Sequence, residues 1–398
     1  MQNKELPLIL RVTDTVKDIS QSDWDRLFGT SCIESRDYHI TLEESNLREF
    51  RLQYLLAKRG QQLVAIAPFF TNDFSFTTII QGKLQKLILK LQKKISRFGK
   101  MKLLFVGFPT TEELYLGLSS EENIKDLMDV ILKELSLIAK KSKVRSILFF
   151  NLTLQQNALA EYLREKDFVP MENFPNTRLR INANSLEEYM RTLSKNMRKG
   201  LKRKLRRSQE EVELKTEVIE ELNGMGDEIY RLYLNNFKNS DVCFETLTPE
   251  FFHNICRNMP GKAKFLITRN RDKIVAFNLC LTQGETCIDK FIGFDDSVSR
   301  NYHLYYATFC HNVEWCIKMG FRNYQMGITD YHPKLRLGAK LIPLYIYAKS
   351  FNPIVNSMMK LLARFIEPRN FDPTLKNLSQ KLTQNETGVV PSKSRSAV

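Results

Sequence analysis

The stretch from residue 325 to residue 340, QMGITDYHPKLRLGAK, holds many side chains that can bind ligands or carry protons. It follows a short apolar run, and loops that follow a strand often carry binding groups. Lys334 could hold an anionic group or stabilise a developing oxyanion. His332 could act as a base near neutral pH, although a plain surface histidine is the commoner case. The loop's candidate substrate-binding residues are Gln325, Gly327, Asp330 and Tyr331, and Arg336 is a candidate for binding an anionic donor.

The adjacent charges Asp289 and Lys290 form a second candidate site, within the strand-like run CIDKFIGFD at 287–295. Alternation along a strand places the two side chains on opposite faces. Burying either charge without a partner is costly, so either one of them faces solvent or one lines a cleft. In a cleft, Asp289 could accept a proton from an attacking amine, and Lys290 could polarise a carbonyl. The candidate catalytic residues are therefore Asp289, Lys290, His332 and Lys334.

A strongly basic segment precedes these sites: eight of the thirteen residues from Lys195 to Arg207 are Lys or Arg, and none is acidic. Apolar residues recur there every three or four positions, which predicts a helix that packs on one face and directs its cations outward. Like charges at this spacing repel, and a bound anion would remove that cost. A solvated face is the alternative, but we expect an anion site for RNA, acidic lipid or a phosphorylated substrate. The candidate anion-binding residues are Lys195, Arg198, Lys199, Lys202 and Arg203, together with Arg300 and Asn301.

The elements that must position these residues are strands and helices in two similar halves. The first half is predicted to have strands within 51–73 and at 102–109 and 144–152, with helices at 121–142 and 156–168. The second is predicted to have strands at 176–183, 212–218, 323–327 and 341–348 and three strands within 263–296, with helices at 185–209, 225–238, 248–258 and 302–319. This order predicts an α+β fold with an N-terminal domain at 1–172 and a C-terminal domain at 173–368. The polar tail at 369–398 is predicted to be disordered.

Composition narrows the class of protein. The chain has 398 residues and a net charge of +15, which favours an anionic partner or cosubstrate. Seven cysteines without a CxxC pair indicate reduced thiols in a cytoplasmic protein, and no metal site is predicted. No secretory signal and no apolar stretch of ~20 residues is present, so no integral membrane span is expected. Peripheral contact with an anionic inner membrane face stays open, because amphipathic helices are predicted at 83–98 and 353–366; packing on their own domain is the alternative.

Three segments, at 177–210, 303–327 and 332–348, resemble the FemAB/FemX-like transferases of the GNAT superfamily. The shared motifs are SLEEY (185–189) and LSKNMRK (193–199) after a strand, then a short strand ending in Gly327, then a lysine loop before a PLYIY strand. The resemblance covers roughly residues 20–350 and rests on the order of the motifs. It implies two tandem GNAT-like domains, each a mixed, mostly antiparallel sheet flanked by helices. It also implies transfer of an acyl or aminoacyl group to an amine, with Lys334 matching the lysine of the family's loop.

One stretch departs from the GNAT enzymes that bind acetyl-CoA. Those enzymes carry Arg/Gln-x-x-Gly-x-Gly/Ala after the middle strand, and the glycines let backbone N–H groups approach the pyrophosphate. The corresponding stretch here, DDSVSRNYHLYYA at 295–307, has no glycine, and Tyr302 and His303 would fill the approach. This favours a donor other than acetyl-CoA, or one that is bound differently. An acyl-CoA or other acyl-thioester and an aminoacyl-tRNA both remain open as cosubstrates, and no permanently bound cofactor is expected.

The predicted function is transfer of an acyl or aminoacyl group from such a donor to an amine acceptor, with a cell-envelope precursor among the candidate acceptors. The alternative is a non-catalytic module of the same fold that binds RNA or an anionic membrane surface through the basic helix. The two hypotheses differ in the residues they require. Only the transferase needs Asp289 and Lys334, whereas only the binding module depends chiefly on cations such as Lys199 and Arg203.

Overall fold

The computed structural model describes residues 6–30, 32–47, 50–75, 90, 100–238 and 246–387. The first half contains strands β1 (Leu8–Thr13), β2 (Arg51–Arg59), β3 (Gln62–Ser75), β4 (Lys100–Val106), β5 (Gly117–Leu118) and β6 (Ser146–Leu152). Its helices are α1 (Gln21–Phe28), α2 (Arg36–Glu44), α3 (Ile124–Lys141) and α4 (Asn157–Glu165).

The second half continues with strands β7 (Val169–Arg180), β8 (Leu214–Ile219), β9 (Ala263–Asn270), β10 (Lys273–Gln283), β11 (Thr286–Phe294), β12 (Asn323–Gln325) and β13 (Lys340–Ser350). Its helices are α5 (Leu186–Thr192), α6 (Lys195–Arg206), α7 (Gly226–Lys238), α8 (Pro249–Asn258), α9 (Leu304–Met319), α10 (Tyr331–Arg336), α11 (Pro353–Leu362) and α12 (Pro373–Thr387).

Among the described residues, all thirteen strands belong to one sheet. The order is β1-β2-β3-β4-β6-β13-β7-β12-β11-β10-β9-β8, and β5 pairs with β3. The pairs β4–β6 and β11–β12 are parallel, and the remaining pairs are antiparallel. The predicted α+β class, with a mixed and mostly antiparallel sheet flanked by helices, is therefore confirmed.

The last strand joins the two halves. β13 lies between β6 of the first half and β7 of the second, and it is antiparallel to both. The predicted division between residues 172 and 173 falls inside β7, which runs without interruption through Arg180. The division into two domains therefore stays a prediction, since no break in the sheet marks it.

Helices cover both faces of the sheet. On one face, a core that includes Tyr38, Phe105 and Phe277 extends across both halves, and α2 packs against α8 there. On the other face, α3 and α4 cover the first half, and α5, α6 and α9 cover the second. In the described part of the chain, no helix is long and apolar enough to cross a membrane.

The basic helix is shorter than predicted. The region 185–209 forms two helices, α5 and α6, which are separated at Leu193 and Ser194. Each helix has its own serine cap: Ser185 accepts from the Glu188 N–H, and Ser194 accepts from the Met197 N–H. The apolar stripe of α6 is buried as expected, at Met197, Leu201 and Leu205.

The C-terminal region also differs from the prediction. Residues 373–387 form α12, whereas 369–398 was predicted to be disordered; residues 388–398 lie outside the described part. The predicted helix at 353–366 is present as α11, followed by a short 3-10 turn at Ala363–Phe365. The predicted helix at 83–98 lies outside the described residues, except for residue 90.

Candidate functional site

A cavity of about 730 Å³ lies where the two halves meet. Strands β4 and β6 and the turn at 109–112 line it from the first half, and β10 to β12, α7 and α9 line it from the second. The remaining walls come from β7, β13, α11 and residues 366–371, and from the loop 326–330 with Lys334. Its volume falls within the range of small-molecule sites, about 300–1,000 Å³.

Asp289 lies at the polar end of this cavity. Its carboxylate accepts two hydrogen bonds from the Asn278 amide, at 3.0 and 2.8 Å, and one from the Tyr324 hydroxyl at 2.7 Å. Burial raises the pKa of Asp289 to about 6, against the opposing effect of these hydrogen bonds and of the Lys334 charge. A carboxylate in this state can take up a proton near neutral pH.

Lys290 lines the same cavity from the opposite side of β11, as the predicted alternation requires. The Asp289 carboxylate meets Tyr324 on the face of Cys280 and Cys287, whereas the Lys290 ammonium meets Glu34 on the face of Ile288 and Tyr38. The alternation is wrong only beyond Lys290. Leu279 pairs with Phe291 and Cys280 pairs with Asp289, so Lys290 is the extra residue of a β-bulge, and Phe291 packs on the same core as Ile288. The Lys290 side chain is only 2% exposed.

Lys290 lies between two carboxylates of the first half. Its ammonium contacts Glu34 at 2.5 Å and Glu112 at 3.0 Å, and the Glu34 side chain is fully buried. Burial lowers the pKa of Lys290, but the Glu112 and Glu34 charges outweigh it and hold that pKa well above its ordinary value. Burial raises the pKa of Glu34 to about 7, with Lys290 opposing the shift and Glu112 adding to it. This cluster, Glu34–Lys290–Glu112, is an ion bridge between the halves.

Lys334 reaches the cavity from the first turns of α10. Its ammonium donates to three backbone carbonyls of the preceding loop, Met326 at 2.7 Å, Gly327 at 3.2 Å and Ile328 at 3.1 Å. Burial lowers its pKa to about 8, against the raising effect of Asp330, Asp289 and Glu112. The left-handed backbone at Gly327, with φ of +68°, lets the loop turn its carbonyls toward this ammonium.

The other end of the cavity is apolar. Its floor is one face of four adjacent strands, and α11 covers it. The floor residues are Met101, Leu103 and Phe105 of β4, Leu148 and Phe150 of β6, Leu344, Ile346 and Ala348 of β13, and Met171 of β7. The cavity therefore has a charged end at β10 to β12 and an apolar end at β4, β6 and β13.

Comparisons with known proteins agree with this architecture. The model of the FemAB-like family, described as peptidoglycan biosynthesis or recognition, matches residues 15–367. The chain belongs to the FemAB-like family. Among solved structures, FemX superposes with a TM-score of 0.55 at 10% identity, covering 86% of this chain and 98% of FemX. A tandem GNAT protein from the clavulanic acid biosynthesis pathway gives 0.51 at 10% identity, covering 87% and 99%. These two structures confirm the tandem GNAT-like fold.

A curated relative is longer than this FemAB-like chain. A putative 8-amino-7-oxononanoate synthase 2 of Mycobacterium tuberculosis is 23% identical over 350 residues. The match covers 85% of this chain and 44% of that protein, in each of two strains. The chain therefore spans less than half the length of the curated relatives it matches.

The structure separates the predicted site residues of the FemAB-like chain into two groups. Those that line the cavity are Asp289, Lys290, Lys334, Gly327 and Asp330. Gln325 and Tyr331 are buried away from it: Gln325 faces Arg178, and the Tyr331 hydroxyl donates to the Pro175 carbonyl at 3.0 Å. His332 and Arg336 are exposed and do not line the cavity. The position of His332 therefore does not place it beside Asp289 or Lys334 in the cavity.

The predicted anion-binding residues all lie outside the cavity. Lys195, Lys199, Lys202 and Arg203 are exposed on α6, and Arg198 donates to the Arg191 carbonyl at 3.2 Å. Arg300 and Asn301 are exposed before α9, whose first residue follows His303 in a left-handed conformation. Tyr302 and His303 are half-buried and directly precede this helix, and their filling of a phosphate approach stays a prediction. The anion site therefore stays a prediction about the surface.

Sequence reasoning missed the residues that hold the candidates in place. Asn278 could have been recognised from the sequence, because it is a polar residue inside the apolar run VAFNLCL. Asn312 donates to the Tyr324 hydroxyl at 2.9 Å. Glu112 had no signal, because its partner Lys290 is 178 residues away in the chain. Across the described residues, no group of three His, Cys, Asp or Glu side chains is placed to hold a metal ion, and the six described cysteines are free thiols.

Proposed function

We propose that this FemAB-like chain is an N-acyltransferase or aminoacyltransferase and that the charged end of the cavity is its active site. The observation that carries the proposal is the convergence of a buried carboxylate, Asp289, and a buried ammonium, Lys334, in a cavity lined by both halves. The family model concerns peptidoglycan biosynthesis or recognition, which supports an amine of a cell-envelope precursor as the acceptor.

Asp289 is the proposed base. With a pKa of about 6, it is ionised at neutral pH and accepts the proton that the acceptor nitrogen loses. That nitrogen forms a bond to the acyl carbon of the donor. The bond from this carbon to the donor's sulfur or oxygen breaks, and the leaving group takes up the proton. Tyr324 and Asn278 hold the carboxylate in one orientation through the hydrogen bonds described above.

Lys334 is the proposed stabiliser of the negative charge that develops on the acyl oxygen. Its pKa of about 8 leaves the amine mostly protonated at neutral pH. All three of its N–H groups are donated to loop carbonyls, so the acyl oxygen takes the place of one carbonyl when the donor binds. The carboxylate of Asp289 nearby keeps the ammonium form favoured.

The proposed donor is an acyl-thioester or an aminoacyl-tRNA. A glycine-free approach to α9 disfavours the phosphate cradle of acetyl-CoA-binding GNAT enzymes. The donor's phosphates are therefore proposed to lie against the exposed cations of α6, outside the cavity. In that arrangement the basic helix holds the donor, and the cavity holds the reacting groups.

The test is a transfer assay on the purified chain. Radiolabelled acyl-CoAs and charged tRNAs are each offered with small amines and with amine-bearing envelope precursors, and labelled amide product is measured. Lys334→Ala should lower the rate by about 10²-fold or more, as the loss of an oxyanion stabiliser does. The exposed Lys318→Ala is the matched control and should leave the rate unchanged. Transfer that survives Lys334→Ala would refute the role of this cavity.

A second candidate function is the non-catalytic binding module. It is favoured by one observation: within the described part of the chain, the acidic contacts of the α6 cations are long, with Lys202 to Glu187 at 3.8 Å and Arg206 to Glu210 at 3.7 Å. Under this hypothesis, binding to RNA falls steeply with salt, and Lys199→Ala with Arg203→Ala abolishes it. Amide product in the transfer assay would eliminate the module as the whole function.

A further inference from the structure

The helix that covers the apolar end of the cavity carries an exposed apolar stripe. In α11 and the turn after it, the exposed fractions are 72% for Ile354, 52% for Met358, 66% for Leu361, 47% for Leu362 and 65% for Phe365. Ile354, Met358, Leu361 and Phe365 are spaced by four, three and four positions, which is the spacing of a face that normally packs, and Leu362 lies four positions after Met358. Here that face is turned to the outside. Scattered single apolar residues need no explanation, but a continuous stripe indicates an interaction surface.

The stripe is continuous with the cavity. Met358 and Leu362 are exposed on α11 and also line the cavity, and Val355 does the same. Met359 and Ile366, from the same segment, complete this wall. The outer stripe and the apolar wall of the cavity therefore adjoin at Val355, Met358 and Leu362.

The charge around the stripe favours an anionic, apolar surface. From Asn352 to Ile366 the chain has two cations, Lys360 and Arg364, and no acid. Lys360 forms an ion pair with Asp167 at 2.5 Å, so the attraction to an anionic surface comes from Arg364 and from the chain's net charge of +15. Amphipathic helices of this kind lie in the interface of lipid bilayers, with the apolar face inward and the cations at the headgroups.

We propose that α11 docks on an anionic lipid bilayer and that one long acyl chain of a lipid substrate enters the cavity between α11 and the floor of β4, β6 and β13. The inference rests on the proposed function, because the reacting group of that lipid then lies toward Asp289 and Lys334. It adds the class of substrate, an acyl-chain lipid. It also adds the route of entry, directly from the bilayer.

The docking surface is tested by flotation of the full chain with vesicles of phosphatidylglycerol and phosphatidylcholine. The variant I354S/L361S/F365S changes three exposed residues that do not line the cavity. We expect its vesicle-bound fraction to fall about tenfold or more, since insertion depends on buried apolar area. The control I9S/L154S removes equally exposed apolar residues elsewhere and should bind as the unchanged chain does. Equal binding by the triple variant, or an unchanged chain that associates with itself through this stripe, would overturn the proposal.

The chain site is tested by calorimetry with fatty acids of increasing length, kept below their critical micelle concentrations. Affinity should rise about fourfold per methylene until the cavity is full. Ile346→Trp fills the floor and should weaken binding about tenfold or more without changing vesicle flotation. Ala348→Leu, a smaller change at the same floor, should shift the optimum toward shorter chains. No dependence on chain length would overturn the site.

These experiments separate the inference from the proposed function. Fatty-acid binding that depends on the floor residues, in a chain that shows no transfer with any donor, would refute the proposed function and leave the inference standing. Transfer without a preference for acyl-chain acceptors or donors, together with no fatty-acid binding, would refute the inference and leave the proposed function standing.

Discussion

The two buried lysines of the cavity differ in what surrounds their ammonium groups. Lys290 faces two carboxylates, and its pKa is held well above the ordinary value although burial alone would lower it. Lys334 faces three neutral carbonyls, and burial lowers its pKa to about 8. The first therefore remains a fixed charge that ties the halves together, and the second is poised to respond to a ligand's charge. The charge of the groups around each ammonium, more than burial, therefore determines whether the lysine remains a fixed positive charge.

Removing the fixed charge should cost stability in a pH-dependent way. Lys290→Met should lower the free energy of unfolding by about 3–5 kcal/mol near pH 8, because two buried carboxylates lose their shared cation. The pKa of Glu34 is already raised to about 7 and lies higher without Lys290. The folded variant then binds protons that the unfolded chain releases, so its stability falls as pH rises from about 5 to 8. Urea denaturation at pH 5.5 and at pH 8 measures this fall in the free energy of unfolding.

Two variants provide the controls for this prediction. Glu34→Gln combined with Lys290→Met should recover part of the loss, since it removes one of the stranded carboxylates. Lys125→Met breaks an exposed pair with Glu165 and should change stability little. An equal loss at pH 5.5 and pH 8 would contradict the charge cluster as the cause.

At the scale of elements, the bulge in β11 shapes the site. Asp289 and Lys290 face opposite sides of the sheet, as the sequence predicted, and the bulge places Phe291 on the same side as Lys290. Three residues beyond Lys290, Gly293 allows α7 to approach β11 closely. A Cβ at this position would lie 2.3 Å from the Phe277 ring and 2.6 Å from the Leu232 backbone carbon.

Gly293→Ala should therefore push α7 away from β11. We expect a loss of about 1–3 kcal/mol in the free energy of unfolding, as for overpacking of a core, together with lower transfer activity. The matched glycine is Gly200, on α6, where a Cβ would meet nothing within 4 Å. Gly200→Ala should stabilise the chain by up to about 1 kcal/mol, because alanine favours the helix. If both variants have the same stability in chemical denaturation, the close approach is not a constraint.

Much of this element order could be predicted from the sequence, and the reasons for the failures are physical. Strand and helix periodicity located β2, β3, α7 to α9 and the three strands β9 to β11, because those patterns are local. Periodicity carries no information on a bulge, so it put Asp289 and Lys290 on opposite faces correctly but put Phe291 on the wrong face. It also could not show that Glu34 and Glu112 meet Lys290, since that contact depends on how distant segments fold together. The loop after β12 made His332 a candidate; it is exposed and lies outside the cavity, and its role as a base stays a prediction.

At the scale of the whole molecule, one sheet and one ion bridge make the two halves a single site. β13 lies between β6 and β7, so the floor of the cavity contains strands from both halves. The Glu34–Lys290–Glu112 cluster then fixes the first half against β11, next to Asp289. Both halves therefore contribute to substrate binding in the proposed mechanism, although the proposed base and oxyanion stabiliser come from the second half.

The central claim is that Asp289 acts as the base. A control that the Asp289→Asn variant folds correctly comes first. The pKa of Asp289 is raised to about 6 in the folded chain, so the buried carboxylate lowers stability as pH rises from about 4 to 6. Asp289→Asn removes that cost and keeps an acceptor for Tyr324. Its denaturation midpoint above pH 6 should therefore equal or exceed that of the unchanged chain.

The most direct measurement is the pH dependence of kcat/KM for amide formation, in the unchanged chain and in Asp289→Asn. The exposed Asp272→Asn serves as the matched control. In the unchanged chain and the control, kcat/KM should rise with pH and show an inflection near pH 6, where Asp289 ionises. In Asp289→Asn, kcat/KM should fall by about 10²–10⁴-fold, and that inflection should disappear. Retention of the rate and of the inflection in Asp289→Asn would contradict the account.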